Sequence, residues 1–380
     1  MTADISRRGI IGLGLGAAAL STVGRAQARD GVGFALVGLG KLSLGQLVPA
    51  FRNCRHAQLT GLVSGHADKA NRIASEQNLS ANSVYSYADF DRIAADPGID
   101  VVYIVLPNFL HAEYTIRALK AGKHVLCEKP MASTVTDAEA MVAAAKAANR
   151  KLMIAYRCQY EPLNLFGMRL VRRGALGKTR LVVTNMGRQS DLNDPSDAWR
   201  LDMKKSGGGA LADMGIYGIN GARYLLGEEP IEVRAHAQTD RRDPRFQTVE
   251  DLITWEFRFP SGAISTGSTS FNQAGTMAWE VYGERGKMIA EPGCFYNGNR
   301  LTVTGAEQPN IAEIDQFARE MDWMANVVRG RAPLVSPGEE GLQDMRLIRA
   351  ILDSVGRGGA PVRTDWGYRR AVDPAVAVSA

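Results

Sequence analysis

The sequence predicts an α/β doubly wound parallel sheet followed by an α+β domain with a large, mainly antiparallel open sheet. Three observations carry that reading. Short apolar runs alternate with helical patterns through the first half, and such alternation builds a parallel sheet with helices on both faces. One of these runs, Val32 to Val37, opens directly onto Gly38-Leu39-Gly40, the strand–glycine turn–helix order of a Rossmann dinucleotide-binding unit. Beyond Leu225 the alternation stops, and strand-like runs follow one another across hairpin-type turns.

Residues 1–28 stand outside this pattern. Arg7-Arg8 precede a glycine- and alanine-rich apolar run from Ile10 to Leu20, and Ala26-Gln27-Ala28 supplies an A-x-A cleavage pattern. The run is too short to span a membrane. Paired arginines before a mild apolar core indicate a twin-arginine export signal, with an ordinary secretory signal or an amphipathic first helix as alternatives. That route carries folded proteins, which suits a chain that takes up a cofactor in the cytoplasm, and it predicts a periplasmic location. Gly12-Leu13-Gly14-Leu15-Gly16-Ala17 fits G-x-G-x-x-A by letter, but no strand precedes it, so it is rejected as a nucleotide site. Without this segment the chain loses Arg7, Arg8, Arg25 and Asp4, and its formal net charge falls from +5 to +3. So small and scattered a charge argues against a nucleic-acid partner. The remainder suffices for two domains, placed at 29–155 and 156–380. Cys54, Cys127, Cys158 and Cys294 lack metal-ligand spacing. A large core does not need disulfides, so four free, mostly buried thiols are expected. The histidines form no H-x-x-x-H cluster, and no metal is assigned.

In the first half, the glycine turn after Val37 feeds a helical pattern from Lys41 towards Arg52. Glycines let the backbone approach a pyrophosphate, and the helix N-terminus offers N–H groups and dipole. The spacing departs from G-x-G-x-x-G: Ser43 holds the third position. The second strand, Gln58 to Val63, ends in Ser64, where an NAD enzyme usually carries Asp or Glu for the ribose 2′-hydroxyl. A hydroxyl, with Lys69 a turn later, suits a 2′-phosphate instead. Asp68 falls at a helix start, where it serves the dipole. NADP is therefore expected. Asp100 to Leu106 reads as the next strand, ended by Pro107-Asn108, with His111 opening a helix to Gly122. Such a histidine packs or caps more often than it catalyses. The apolar run His124 to Cys127 then meets Glu128-Lys129-Pro130. Ligands of doubly wound sheets bind outside the carboxyl ends of the strands. Lys129 is thus a titratable amine at the expected ligand edge, with a solvated strand-end charge pair as the alternative. A helix from Asp137 to Asn149 and a strand from Lys151 to Tyr156 complete the half.

In the second half, Ser206-Gly207-Gly208-Gly209 precedes a helical pattern in which Asp213 and Tyr217, four apart, share one face. Gly215, Gly218 and Gly221 fall inside it. Glycine costs about 1 kcal/mol in a helix interior, so close approach is expected, either to a sheet or with Asp213 and Tyr217 turned to a nicotinamide. Strand-like runs follow at Glu232 to Gln238, Asp251 to Phe259, Ala263 to Ser270, Trp279 to Tyr282, Lys287 to Ala290 and Arg300 to Val303. Pro260-Ser261-Gly262, Gly283-Glu284-Arg285-Gly286 and Asn297-Gly298 supply their turns. Such a sheet offers a face to substrate or to a second copy, and a homodimer is expected. Long helices at Ile314 to Arg329 and Glu339 to Val355 follow.

Taken together, several stretches resemble the Gfo/Idh/MocA oxidoreductase family, and within it the exported sugar–sugar oxidoreductases. They include Val37-Gly38-Leu39-Gly40-Lys41, Leu62-Val63-Ser64-Gly65, Leu106-Pro107-Asn108, Cys127-Glu128-Lys129-Pro130-Met131 and Ala155-Tyr156-Arg157-Cys158. Trp199-Arg200-Leu201, Gly215-Ile216-Tyr217-Gly218 and Ser336-Pro337-Gly338-Glu339-Glu340-Gly341 continue the likeness, which spans nearly the whole chain after residue 28. The resemblance implies an NADP held tightly and not exchanged between half-reactions, and monosaccharide substrates. It implies a ping-pong cycle, in which an aldose is oxidised at C1 to the aldonolactone and a second sugar, an aldose or a ketose, is reduced to the alditol. It implies Lys129, Asp213 and Tyr217 as catalytic residues. Around the cofactor it implies Gly38, Leu39, Gly40, Lys41, Leu42, Ser64, Lys69, Tyr87, Leu106, Pro107, Asn108, His111, Glu128, Lys129, Arg157, Trp199, Arg200 and Tyr296. Around the sugar it implies Lys129, Arg157, Tyr160, Asp213 and Tyr217. Tyr217 would take the C1 hydroxyl proton, the Lys129 ammonium would favour its phenolate, and Asp213 would orient the sugar or keep Lys129 charged.

Two departures from those relatives bear on assembly and specificity. Few residues separate Ala28 from Val32, where tetrameric members carry a long arm, and Leu42 stands where they have an aromatic residue. Both point towards an arm-less aldose–aldose type and a dimer. Two readings from other classes compete. An exported NAD-dependent glycoside hydrolase of the same superfamily conflicts with Ser64 and Lys69. A cofactor-loaded sensor without turnover conflicts with Lys129, Asp213 and Tyr217.

Overall fold

Val32–Val37 (β1) is buried along its whole length, as a strand must be when helices cover both faces of its sheet. The computed structural model describes residues 31–378, so the export signal expected at 1–28 lies outside the described residues. β1 sits inside a six-stranded sheet ordered β3-β2-β1-β4-β5-β6. The other strands are Ala57–Val63 (β2), Val84–Tyr85 (β3), Val101–Ile104 (β4), His124–Glu128 (β5) and Leu152–Ala155 (β6), all paired in parallel. The order reverses between β1 and β4, which opens a crevice at the carboxyl ends of these strands. Ala67–Glu76 (α1), Asn108–Lys120 (α2) and Val135–Ala148 (α3) are crossover helices. α2 starts directly after Pro107, three residues before His111. α3 is capped by Thr134, whose side chain accepts from Asp137 N, and it ends at Asn149 in the left-handed conformation.

The second sheet has eight strands in the order β13-β12-β11-β7-β10-β9-β8-β14. They are Thr179–Gln189 (β7), Glu232–Gln238 (β8), Leu252–Arg258 (β9), Ile264–Ser270 (β10), Asn272–Gly283 (β11), Lys287–Ala290 (β12), Leu301–Thr304 (β13) and Val362–Arg363 (β14). Every neighbouring pair is antiparallel except β7 with β10. β7 holds an inner place and was not among the strands expected from sequence, although Val182, Thr184 and Met186 are buried with period two.

Pro162–Arg172 (α4) precedes β7. A wide helical turn, Leu211–Gly215, runs into Ile216–Leu226 (α5). A Cβ at Gly218 would lie 2.5 Å from Thr184 Oγ1 and 3.3 Å from the Trp255 ring. The glycine therefore lets α5 settle on the sheet, which is the packing alternative. The last long helices, Gln316–Val328 (α6) and Gly338–Gly356 (α7), return to the first sheet. Asp322 of α6 accepts from the backbone N–H groups of Arg55, His56 and Ala57 at 2.7–2.9 Å, holding the start of β2. Ahead of α7, Ser336 O accepts from Ile154 N and Ser336 Oγ donates to Ile154 O, each at 2.8 Å. The residues from Gly31 onward form one compact unit as a result.

Buried charges tie α5 to α7. Arg223 pairs with Glu229 at 2.7 Å, with Glu340 at 3.2 Å and with Asp344, and Arg370 pairs with Glu340 at 2.5 Å. The four cysteines are free thiols, with Cys54 half-buried and the others buried. Among the described residues no helix is long and apolar enough to cross a membrane.

Candidate active site

Glu128 and Lys129 follow one another at the end of β5 and face different surroundings. Glu128 turns into the core, where its Oε1 accepts from the Tyr103 hydroxyl at 2.9 Å. Lys129 reaches the Leu211–Gly215 turn: its Nζ donates to Asp213 O at 2.8 Å and lies 3.6 Å from Asp213 Oδ1. The same ammonium sits 4.5 Å from the centroid of the Tyr217 ring. The sequence-predicted trio of Lys129, Asp213 and Tyr217 is thus one cluster, assembled from the end of one sheet and the helix laid on the other.

Asp213 is ringed by cations. Arg200 Nε donates to its Oδ2 at 3.0 Å, and Arg188 Nη2 lies 3.5 Å from the same oxygen. Burial alone would raise its pKa, but Arg200, Lys129 and Arg188 together hold it well below the usual carboxylate range. Asp213 is therefore a permanent anion near neutral pH. It can orient Lys129 and a sugar hydroxyl, but it cannot lend a proton.

Tyr217 has two cations beside it. Lys129 lies over the ring face. The cation facing the hydroxyl is Arg157, whose guanidinium carbon is 4.9 Å from the ring centroid. Burial pushes the Tyr217 pKa well above its ordinary value, and Arg157 offsets only part of that. The phenol keeps its proton here. Arg157 itself is 3% exposed and fixed. Its Nη1 donates to Gln316 Oε1 at 2.8 Å and its Nη2 to Cys294 O at 2.6 Å, and it also lies 4.8 Å from the Tyr296 ring centroid.

The glycine turn lies along the same crevice. Gly38 has φ +92°, and a Cβ there would lie 2.3 Å from Val105 O, so no other residue fits. Nothing lies within 4 Å of a Cβ built on Gly40, which leaves the turn open to an approaching phosphate. Ser43, in the place of the third glycine, donates its hydroxyl to Gly38 O and closes the loop. Leu39 is buried and Leu42 half-buried beneath it. Exposed Lys41 pairs with Asp194, on the segment that carries Trp199 and Arg200. Those two stack, with the guanidinium 4.3 Å from the indole centroid. At the end of β2, Ser64 is buried with its Oγ accepting from His66 N at 3.1 Å, and Lys69 Nζ points back to Leu39 O at 3.5 Å. Tyr87 packs against Gly65, a Cβ there lying 3.2 Å from its ring. An open glycine turn with a hydroxyl and an ammonium at the neighbouring strand end fits a dinucleotide bearing a 2′-phosphate. Asp68 stays exposed in the first turn of α1.

Other expected residues are placed differently. His111 is 1% exposed, and its ring nitrogens meet Pro130 O at 2.8 Å and Leu106 O at 2.7 Å. Two acceptors favour a charged ring, but burial outweighs them and pushes the pKa down to about 4. His111 pins the Leu106 and Pro130 turns together and is closed to a cofactor. Tyr160 is fully buried, its hydroxyl against Ser336 Oγ at 3.3 Å, so it is a core residue and not a sugar contact. Asn108 is buried and donates to Ser206 O at 2.8 Å, bracing the loop before Asp213, while Leu106 and Pro107 border the crevice half-buried. Glu128 supports the site from below. Arg188 was not singled out from the sequence, because β7 was not. It forms a two-point pair with Asp197, at 2.9 and 2.6 Å, beside Asp213. His66, exposed beside Ser64, is a second addition.

Residues 32–156 match the Gfo/Idh/MocA oxidoreductase family in its NAD-binding Rossmann fold, and residues 168–289 match a Gfo/Idh/MocA C-terminal domain. The chain belongs to this family of oxidoreductase enzymes. It is 31% identical over 329 residues to a D-xylose 1-dehydrogenase (NADP+) of Haloarcula marismortui, covering 85% of this chain and 91% of that protein. It is 29% identical over 338 residues to D-xylose 1-dehydrogenase (NADP+) 2 of Haloferax volcanii, covering 86% and 98%. Among solved structures, the aldose–aldose oxidoreductase from Caulobacter crescentus complexed with glycerol superposes with a TM-score of 0.83 at 40% identity, over 88% of this chain and 99% of that one.

Proposed function

We propose that this chain is an NADP-dependent sugar oxidoreductase that oxidises an aldose at C1 and reduces a second sugar with the hydride it retains. The observation that carries the reading is the convergence of Lys129, Asp213, Tyr217 and Arg157 at the carboxyl end of β5, in the crevice that also holds the open glycine turn. Ser64 and Lys69 at the end of β2 support NADP. The names of the dehydrogenases and of the aldose–aldose oxidoreductase above support a sugar substrate.

NADP, when bound, supplies hydride acceptance and return. The residues of the chain bind, orient and move the proton. Lys129, fixed by Asp213, holds the C1 oxygen of the aldose. Once Tyr217 has given its own proton to solvent, its phenolate takes the C1 hydroxyl proton as C1 loses its hydride, and the product is the aldonolactone. In the second half-reaction the carbonyl carbon of another sugar gains the hydride and its oxygen gains the proton from Tyr217, giving the alditol. Arg157 eases the passage of Tyr217 through its anion, which burial otherwise disfavours. The test supplies the purified protein with one aldose and no added NADP. Lactone and alditol should form in equal amounts. Turnover only with added NADP would replace the closed cycle with an ordinary exchange-type dehydrogenase.

Export through Arg7-Arg8 to the periplasm belongs to the same proposal. Replacing both arginines with lysine should abolish periplasmic protein on fractionation, and undiminished export would refute it. A homodimer through the open face of the second sheet is proposed as well, and a concentration-independent tetramer or a monomer by light scattering would refute it.

A further inference from the structure

Glu320, on α6, carries a carboxyl that the reaction above does not use. It is fully buried, and neither carboxyl oxygen has a hydrogen-bond partner among the described residues. A buried carboxylate with no donor is among the costliest arrangements a protein can hold. Its surroundings say where relief lies. The titratable and charged groups around it are Tyr103, Glu128, Arg157, Cys158 and Tyr160. The Tyr103 hydroxyl has already committed its proton to Glu128 Oε1, at 2.9 Å. It therefore offers Glu320 only an acceptor lone pair. Glu128 also takes the Lys129 backbone N–H at 3.2 Å and lies near the Lys129 ammonium, which together with Tyr103 offset part of the rise that burial imposes on it, so of the two acids it is the one better supplied with donors to ionise.

We propose that Glu320 is a neutral acid whose hydroxyl donates to Tyr103, completing a one-directional chain from Glu320 through Tyr103 to Glu128 that fixes the strand end carrying Lys129. Glu320 and Tyr103 are then positioning residues, which touch neither sugar nor cofactor and act through Glu128. The chain accounts for the orphaned carboxyl. It also accounts for a fully buried tyrosine hydroxyl in the middle of β4, where an apolar residue would otherwise serve. Burial, reinforced by the Glu128 charge, drives Glu320 far above the ordinary carboxylate range, which agrees with a retained proton.

The catalytic consequence rests on the reading of Lys129 given above, but the proton does not. Infrared difference spectroscopy at neutral pH, wild type minus Glu320→Gln, reads it without turnover. A carbonyl stretch of a protonated carboxyl, shifted on deuterium exchange and absent from Glu320→Gln, is expected. Absence of that band from the wild type would overturn the proposal. Kinetics test the positioning role. Glu320→Gln keeps a donor and should retain kcat within about threefold, whereas Tyr103→Phe and Glu320→Ala should lower kcat about tenfold, the scale of one lost hydrogen bond. KM for the sugar should stay unchanged in all three. Wild-type kcat in both Tyr103→Phe and Glu320→Ala would remove the positioning role. A wild type inert towards every aldose would overturn the sugar reading, while the infrared band would still decide the proton.

Discussion

The two ends of the helical stretch from Leu211 to Leu226 solve opposite charge problems. At its start, Asp213 is one anion among Lys129, Arg188 and Arg200. At its end, Arg223 is a cation shared by Glu229, Glu340 and Asp344, with Arg370 as a second cation in the group. Both ends are buried, and burial pushes Asp213, Glu340 and Asp344 towards neutrality. The outcome is decided by counting partners. Excess cation keeps Asp213 ionised, so the active-site end has a fixed charge. Excess acid leaves one proton unplaced at the far end. Arg223 and Arg370 hold Glu340 below the ordinary range against the effect of burial. Burial and the Glu340 charge push Asp344 up to about 6 against the pull of Arg223. The Asp213 end is thereby insensitive to pH in its carboxylate, and the Arg223 end is not.

The largest effect should come from the catalytic end. Tyr217→Phe should keep the fold and the cofactor but lose activity by roughly 10²–10⁴-fold, the usual share of a general acid–base group. Lys129→Met should lose activity too, and the double variant should lose little more, because residues that act as one unit are not additive. Since burial raises the Tyr217 pKa, the rate of sugar oxidation by the wild type should climb with pH above neutrality. A wild-type rate in Tyr217→Phe would move the acid–base role to Lys129, because Asp213 is held ionised.

At the opposite end, Arg223→Met strands Glu229 and Asp344 and leaves Glu340 with Arg370 alone, and it should cost about 3–5 kcal/mol of stability, as breaking a buried pair does. Denaturant unfolding measures it, and a loss below about 1 kcal/mol would show that the network adds nothing.

Asp344→Asn sharpens the contrast through pH. The folded pKa of Asp344 is about 6 against an ordinary 3.8. Above 3.8 the unfolded chain ionises first, so stability falls as pH rises to about 6 and is level beyond. Two pKa units correspond to about 3 kcal/mol. The Glu340 contribution has the reverse sign, because its depressed pKa adds stability that is lost as pH falls. Asp344→Asn should therefore flatten the decline between pH 4 and 6, and an unchanged profile would refute the assignment.

Smallest is Ser64→Asp, which leaves both ends of the helix alone. Putting a carboxylate where a 2′-phosphate belongs should cost about 1.5–3 kcal/mol in NADP binding, or ten- to a hundredfold in Kd. A denatured wild type that releases mostly NAD would overturn the cofactor assignment itself.

β1 and β8 could be read to the residue, because an apolar run ending in glycines and an alternating run between turn residues are local signals. β7 escaped although Gly174 and Gly177 precede it and Asp194-Pro195 follow it, because Thr184, Asn185 and Arg188 dilute its apolar alternation. With it went Arg188, the cation that shares Asp213 with Arg200. Tyr160 and His111 failed for the opposite reason. Their residue types suit a site, but only packing reveals that Tyr160 is fully buried and that both His111 ring nitrogens are taken.

The sequence by itself determined the strand–turn–helix order, the hydroxyl and ammonium at the end of β2, and the presence of Lys129, Asp213 and Tyr217, because those follow from neighbours a few residues apart. Tertiary structure alone decided their ionisation. The field on Asp213 comes from residues 13, 25 and 84 positions away in the chain, Arg200, Arg188 and Lys129. The cation at the Tyr217 hydroxyl comes from just past the carboxyl end of β6 as Arg157. Charges act through a few ångströms of low-dielectric space regardless of their separation along the chain, so their sum exists only once the two sheets and α6 have closed on one another.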